Sequence, residues 1–470
     1  MAEQLLNAVL GVVVQLAVRL GIGLAVVVAV TGLVAWLSPS VRHRLRIVWR
    51  YGRNLPWLVA AVLRWPRLAA SSGLGTFKVL KPGGRERPVN VPGTKGWRLT
   101  PAGFCFVVCH RYGQSVDTVR AATVSLSSGM RGTVRVESVY RRPHRSRVNV
   151  FRRDPFTNIP APQPLDPDYG TRLRVGVVED GRDYVLDLRT HPHWLCAGST
   201  GSGKSGLQAA ILAALAPTPV VVCLIDLKHG VSAEPYRPRA SVVAETQCEA
   251  VDLLVDLLRL GRVRAITCKQ AGVDSVYDLD PHIRPAEVVI IVDEVAELGF
   301  EGDTPEAKRL ARQAMANLLR CVQLLRAFGI HLIISGQRFG HSLGAQITNI
   351  RAQLSGRVCL RVDDDETGAM VIGDITRDAV HAALEIPAHL PGVAVVRGGP
   401  DRWQRVRFAH ITHQHLASIA HTHAEHRTPW SRVLAECDRL GDAHPIPLPE
   451  HVTEDVAVDD AVDDAEENLR

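Results

Sequence analysis

With 470 residues, 46% of them hydrophobic and 22% charged, the chain exceeds what one hydrophobic core usually holds and is too apolar to be a disordered polymer. An aromatic share of 5% argues against a secreted binding scaffold, and nine cysteines scattered singly through apolar runs exclude a disulfide framework, which points to a reducing compartment. The net charge of +7 is modest but unevenly spread, with eleven basic residues against the single acid Glu86 between Arg42 and Arg87, and a crowd of acids after Glu450.

In chain order, residues 5–37 are almost wholly apolar, and Leu20 to Leu37 alone is about long enough for one bilayer crossing. A cleaved signal peptide fits poorly, because no Lys or Arg precedes the run and the run exceeds an h-region. At least one transmembrane helix is therefore expected, with a second crossing over Leu5 to Val18 left open. The basic cluster Arg42 to Arg53 places the following chain in the cytoplasm. The run Leu55 to Leu63, flanked by Pro56, Trp57 and Trp65, is too short to span and is expected to lie in the membrane interface. These features make 1–66 a membrane anchor with its juxtamembrane segment, and 67–96, Gly/Pro-rich between Lys81 and Gly93, a linker.

Strand signals at Phe104 to Val108 and Gly132 to Val139 suggest a small α/β domain over 97–165. Cys105 and Cys109 fall in the first of these and read as buried thiols, since no second Cys or His pair follows at metal-ligand spacing. Over 166–426 apolar runs (Trp194 to Ala197, Val220 to Ile225, Val288 to Val292, His331 to Ser335, Arg357 to Val362) alternate with helical patterns, which implies a mostly parallel sheet with helices on both faces. The remainder, 427–470, ends in a tail poor in large apolar residues and expected to be disordered.

The strongest chemical signal is Gly198-Ser199-Thr200-Gly201-Ser202-Gly203-Lys204-Ser205, a phosphate-binding loop between an apolar strand and a helix. Glycines let backbone N–H groups wrap ATP phosphates at a helix N-terminus, Lys204 reaches the β/γ oxygens, and the Ser205 hydroxyl is a Mg²⁺ ligand. The apolar strand Val288 to Val292 ends in Asp293, suited to the Mg²⁺ shell, and Glu294, suited to orient and deprotonate an attacking water. A third strand, Ile330 to Gly336, ends at Gln337, either a sensor of the γ-phosphate or an ordinary strand-ending turn.

The run His191 to Ala197 into the phosphate loop, then Leu224-Ile225-Asp226-Leu227-Lys228, then Ile291-Val292-Asp293-Glu294, then Ala327 to Leu332 leading to Ser335-Gly336-Gln337-Arg338, resembles the motor domain of FtsK/SpoIIIE-type DNA translocases in order and spacing. The likeness continues through Ile350 to Arg357 and covers roughly Trp97 to Ala420. It implies a RecA-like fold, a homo-hexameric ring around double-stranded DNA, and an arginine that completes the neighbouring subunit's site, Arg357 or alternatively Arg351. It also implies pore loops facing DNA, here Arg338, Phe339 and His341. The membrane part is shorter than the family's usual four crossings, no long Pro/Gln-rich linker follows it, and too little chain follows Ala420 for the family's winged-helix module. Compact membrane-anchored chains of this kind resemble the conjugative transfer translocases of actinobacterial plasmids and integrative elements. The alternatives are a chromosome-segregation motor, a protein-secretion ATPase, against which a single phosphate loop and basic stretches speak, and a single-stranded-DNA coupling protein, whose motif surroundings match less well.

Two further features stay outside this scheme. Arg131, Arg135, Arg141, Arg142, Arg145, Arg147, Arg152 and Arg153 form a basic stretch that reads equally as a phosphate-contacting surface or as a solvated face or subunit contact. The tract His410, His413, His415, His421, His423 and His426 lacks a carboxylate or thiolate at a known metal-ligand spacing, so no metal site is expected there.

Overall fold

The computed structural model describes residues 45, 48–79, 85–139, 142–152, 154–337, 339, 346–373, 377–397 and 403–438. The strands are β1 (Thr76–Val79), β2 (Glu86–Val89), β3 (Gly93–Leu99), β4 (Gly103–Cys109), β5 (Thr133–Ser138), β6 (Arg145–Phe151), β7 (Gln163–Pro164), β8 (Arg172–Val178), β9 (Asp183–Asp187), β10 (His193–Ala197), β11 (Val221–Ile225), β12 (Val242–Ala244), β13 (Val288–Val292), β14 (Ile330–Gly336), β15 (Gly356–Leu360), β16 (Val393–Arg397) and β17 (Trp403–Phe408).

The smaller layer is an antiparallel sheet ordered β3-β4-β6-β5. Along β4 the alternation of Phe104, Phe106 and Val108 with Cys105, Val107 and Cys109 buries one face. That face is covered by the helices Leu55–Ser71, Val116–Ala121 and Thr123–Met130. Trp57 meets Phe104 edge-on at 4.7 Å, Trp65 meets Phe106 at 5.1 Å, and the two indoles donate to the carbonyls of Met130 and Pro92.

The helix beginning at Leu55 packs Ala61, Trp65 and Ala69 into this layer, while Leu55, Val59, Val62 and Leu63 of the same helix are exposed. Its apolar stripe needs a dry partner, and the phenylalanine face of β4 supplies one. The expected boundary at residue 66 falls inside this helix, and 67–96 carries its last turn, the β1–β2 hairpin and the start of β3 where a linker was expected. Cys105 and Cys109 lie on the outer face of β4, half-buried rather than buried.

The larger layer is an 11-stranded sheet. Its parallel half is ordered β12-β11-β13-β14-β10-β15, and antiparallel pairing continues it through β16, β17 and β8, with β7 and β9 on β8. β10, β11, β13, β14 and β15 are buried along their whole length, as sheets covered on both faces require. One face packs on the helices Gln247–Ala271 and Pro305–Leu324, the other on Lys204–Leu215 and His413–Thr422. The fold is a mixed α/β P-loop architecture, parallel only in the half that carries the motifs.

Polar contacts join the two layers. Arg135 reaches Glu179 at 2.9 Å, with Arg405 3.9 Å away on the other side. Burial pushes the Glu179 carboxyl up to about 8, against the pull of Arg135. Asp378 accepts from Arg120 and from the Ser138 N–H, both at 2.8 Å, and the Ala102 N–H donates to the Asp180 carbonyl at 2.9 Å. Among the described residues no helix is long and apolar enough to cross a membrane. The apolar run 5–37, the tail after Glu450, and Arg338 and His341 of the expected pore loop lie outside the described residues.

Candidate active site

The chemistry-bearing residues stand at the C-terminal ends of parallel strands, and strand order decides which of them meet. β10 runs into the phosphate loop and the helix Lys204–Leu215, whose first turn presents backbone N–H groups and the positive end of the helix dipole. Gly201 (φ +74°) and Gly203 (φ +106°) hold left-handed conformations. At Gly203 a Cβ would also stand 2.3 Å from the Gly392 nitrogen, and at Gly198 it would meet the Ser202 Oγ at 2.5 Å, so both positions exclude a side chain. The loop is anchored from outside. Ser199 donates through its N–H (2.9 Å) and Oγ (3.1 Å) to the Arg361 carbonyl, the Gly392 N–H donates to the Ser202 carbonyl (2.9 Å), and Arg361 donates to the Thr200 carbonyl (3.4 Å).

β14 lies between β10 and β13, which places Gln337 between the loop and the acidic pair. The Gln337 N–H donates to Glu294 Oε1 at 3.2 Å, and its side-chain carbonyl accepts from the Thr200 hydroxyl at 3.4 Å. Lys204 Nζ donates to the Gly198 carbonyl at 3.1 Å and lies 3.7 Å from Glu294 Oε2. Burial lowers the Lys204 ammonium below the usual lysine value, partly offset by Glu294. Asp293, the next carboxylate, is held by Lys228 Nζ at 3.1 Å.

Lys204, Glu294, Asp293 and Gln337 therefore converge with the phosphate loop on one edge of the sheet. Arg357 does not join them. It is 8% exposed and donates inward to the carbonyls of Leu354, Met370, Val371 and Arg351. It stands near the start of β15, the last strand of the parallel half, and reaches the helix Asp365–Ile372 through the carbonyls of Met370 and Val371. Burial, with Arg397 and Arg351 nearby, lowers its guanidinium to about 10. Arg351 is half-buried, with one donor on the Phe339 carbonyl.

Two residues join the site to which the sequence patterns assigned no role. Lys228 stands in a loop fixed by the buried Asp226, which accepts from the N–H groups of Lys228, Ser232 and Ala233. Arg361 follows β15. Both belong to strands adjacent in space to the motif strands, a relation the linear spacing hides.

The residues present fit a Mg²⁺-nucleotide. The Ser202 hydroxyl and Glu294 Oε2 are buried without hydrogen-bond partners, the loop excludes any Cβ at two glycines, and the exposed Ser205 hydroxyl with the Asp293 carboxylate supplies the hard oxygen donors Mg²⁺ prefers.

Comparison with known proteins gives the same family as the motifs. The model of the FtsK/SpoIIIE family matches residues 162–341. Transfer protein TraSA of Streptomyces ambofaciens is 41% identical over 275 residues, 56% of this chain and 66% of TraSA. A sporulation regulatory protein of Streptomyces azureus is 38% identical over 232 residues, 49% of this chain and 76% of that protein. The DNA translocase FtsK of Chlamydia muridarum is 25% identical over 252 residues, 46% of this chain and only 30% of the translocase. The chain thus spans about two thirds to three quarters of its Streptomyces relatives and less than a third of that translocase.

Proposed function

Because the chain belongs to the FtsK/SpoIIIE family of P-loop ATPases, we propose that it is a membrane-anchored motor that uses ATP hydrolysis to move double-stranded DNA in conjugative transfer of a plasmid or integrative element. The motor part would lie in the cytoplasm and work as a homo-hexameric ring. The observation that carries this reading is the convergence of Lys204, Asp293, Glu294 and Gln337 on the phosphate loop, which equips the chain for hydrolysis and not for nucleotide binding alone. The match to a Streptomyces transfer protein supports the choice of process.

Each side chain has a role that follows from its place. Backbone N–H groups of residues 201–205 and Lys204 bind and orient the β/γ-phosphates. Glu294, buried and with Oε2 3.7 Å from the Lys204 ammonium but without a hydrogen bond, accepts the proton of the attacking water. Gln337, bonded to both Glu294 and Thr200, adjusts the base to the state of the loop. Mg²⁺ held by Ser205 and Asp293 would offset the charge that grows on the phosphates. With Arg357 turned inward, Arg351 is the arginine we assign to the neighbouring subunit's site.

The test is ATP hydrolysis by the full chain in detergent, with and without linear duplex DNA. The full chain is used because the helix Leu55–Ser71 contributes to the core of the small sheet. Several-fold stimulation by duplex, absent in Lys204→Ala and Glu294→Ala, is the expected result. An assembled, active ring indifferent to duplex at low salt would overturn the DNA reading and favour a protein-export ATPase.

A further inference from the structure

The histidine tract that the nucleotide site leaves unused gathers three donors at one point. The helix His413–Thr422 ends at His423, whose N–H returns to the Ile419 carbonyl at 3.1 Å. The following turn, Ala424–His426, is closed by the His426 N–H on the His423 carbonyl (3.1 Å) and the Arg427 N–H on the Ala424 carbonyl (3.0 Å). This backbone brings one ligating atom each of His423, Glu425 and His426 to within 4.8 Å of one another. Glu425 Oε1 lies 3.6 Å from His426 Nε2, and the two imidazole centroids are 5.9 Å apart. The carboxylate that the tract lacked in the linear pattern is Glu425, between the two histidines.

We propose that His423, Glu425 and His426 form a binding site for a divalent transition-metal ion of the zinc type. Two imidazoles and a carboxylate suit Zn²⁺, Co²⁺ or Ni²⁺ and do not suit Mg²⁺, which takes oxygen ligands. Bonds of about 2.0–2.2 Å set ligand atoms of a tetrahedral ion roughly 3.4 Å apart, so side-chain rotation alone closes the remaining gap. All three ligands lie within four residues on a hydrogen-bonded turn, so chelation closes no long loop. The site also sits at a helix C-terminus, where unpaired carbonyls favour a cation. With three protein ligands, the remaining position is left to water. The helix His413–Thr422 packs on the phosphate-loop helix Lys204–Leu215 and on the turn Glu234–Tyr236 that follows Lys228, so the ion fixes the far end of a brace of the nucleotide site.

The test is titration of the full chain, purified in detergent without a histidine tag, with Co²⁺, followed by visible absorption and by Zn²⁺ competition. We expect one ion per chain at micromolar concentration, weakened about 100-fold in the His423→Ala/His426→Ala double variant. Glu425→Gln should weaken it about tenfold, and His413→Ala/His415→Ala, which removes as many histidines elsewhere in the tract, should leave it within about twofold. Equal affinity in wild type and the His423/His426 variant would overturn the site. So would an equal loss in the control variant, or saturation only at millimolar Co²⁺.

Discussion

The Lys228 ammonium lies 3.1 Å from Oδ2 of Asp293, the carboxylate suited to the Mg²⁺ shell. Two cations cannot share that carboxylate at contact distance without repulsion, so Lys228 competes with Mg²⁺ for it. Lys228 is about half exposed, and such pairs are worth up to about 1 kcal/mol. Lys228→Met should therefore lower the Mg²⁺ concentration for half-maximal hydrolysis by about two- to fivefold. A Mg²⁺ titration of both proteins decides it, and an unchanged or raised midpoint would remove the competition.

Lys204 and Glu294 share the loop edge but act at different stages, so their variants should separate. Lys204→Ala removes the charge that faces the phosphates and should abolish nucleotide binding measured with a fluorescent analogue. Glu294→Gln keeps the shape and the contact with Gln337, so binding should persist while single-turnover hydrolysis falls about 10²- to 10⁴-fold. Equal loss of binding in both would show that Glu294 holds the loop and does not serve as base.

Arg357 donates to four carbonyls, of which, among the described residues, only that of Arg351 also accepts from the Leu354 N–H, and Arg357→Met removes the guanidinium donor from all four. The expected loss is about 2 kcal/mol or more of stability, visible as a lowered urea midpoint. Arg351→Ala should instead leave stability within about 0.5 kcal/mol and reduce hydrolysis. Mixing it with Glu294→Gln subunits should then restore part of the activity if the arginine works across a subunit boundary.

His193 is 3% exposed at the start of β10, and its Nδ1 accepts the Leu332 N–H at 3.2 Å, so the neutral ring is the one the fold holds. Burial, with His331 and Arg326 nearby, lowers its pKa to about 3. The unfolded chain takes up this proton from about pH 6.5 downward while the folded chain does not, so the stabilisation is complete above pH 6.5 and declines as the pH falls. The contribution changes by up to about 1.4 kcal/mol per pH unit below that point. His193→Asn, which keeps an acceptor without the titration, should flatten the difference in urea midpoint between pH 7.5 and pH 5.

The phosphate loop and the Asp293-Glu294 strand were legible because their residues are consecutive, so a single apolar strand and the turn after it already contain the geometry. Gln337 was half legible. Its strand could be read, but its place between Thr200 and Glu294 comes from β14 lying between β10 and β13, which no local pattern encodes. Lys228 was missed for the same reason, since its partner Asp293 is brought to it by the neighbouring strand. The packing of the helix Leu55–Ser71 on the small sheet was not legible, because an apolar stripe with two tryptophans has the same pattern whether it meets lipid or Phe104 and Phe106.

β14 is buried at all seven of its positions. At one end the following Gln337 grips Glu294 and Thr200; near the other, His331 Nε2 lies 2.9 Å from Glu287 Oε2, an oxygen that also accepts from the Tyr277 hydroxyl at 2.9 Å. Fully enclosed and tied at both ends, the strand has no slack in which to absorb a small axial shift. It is a strut roughly 20 Å long, through which a movement at the catalytic edge would be felt at the opposite edge of the sheet.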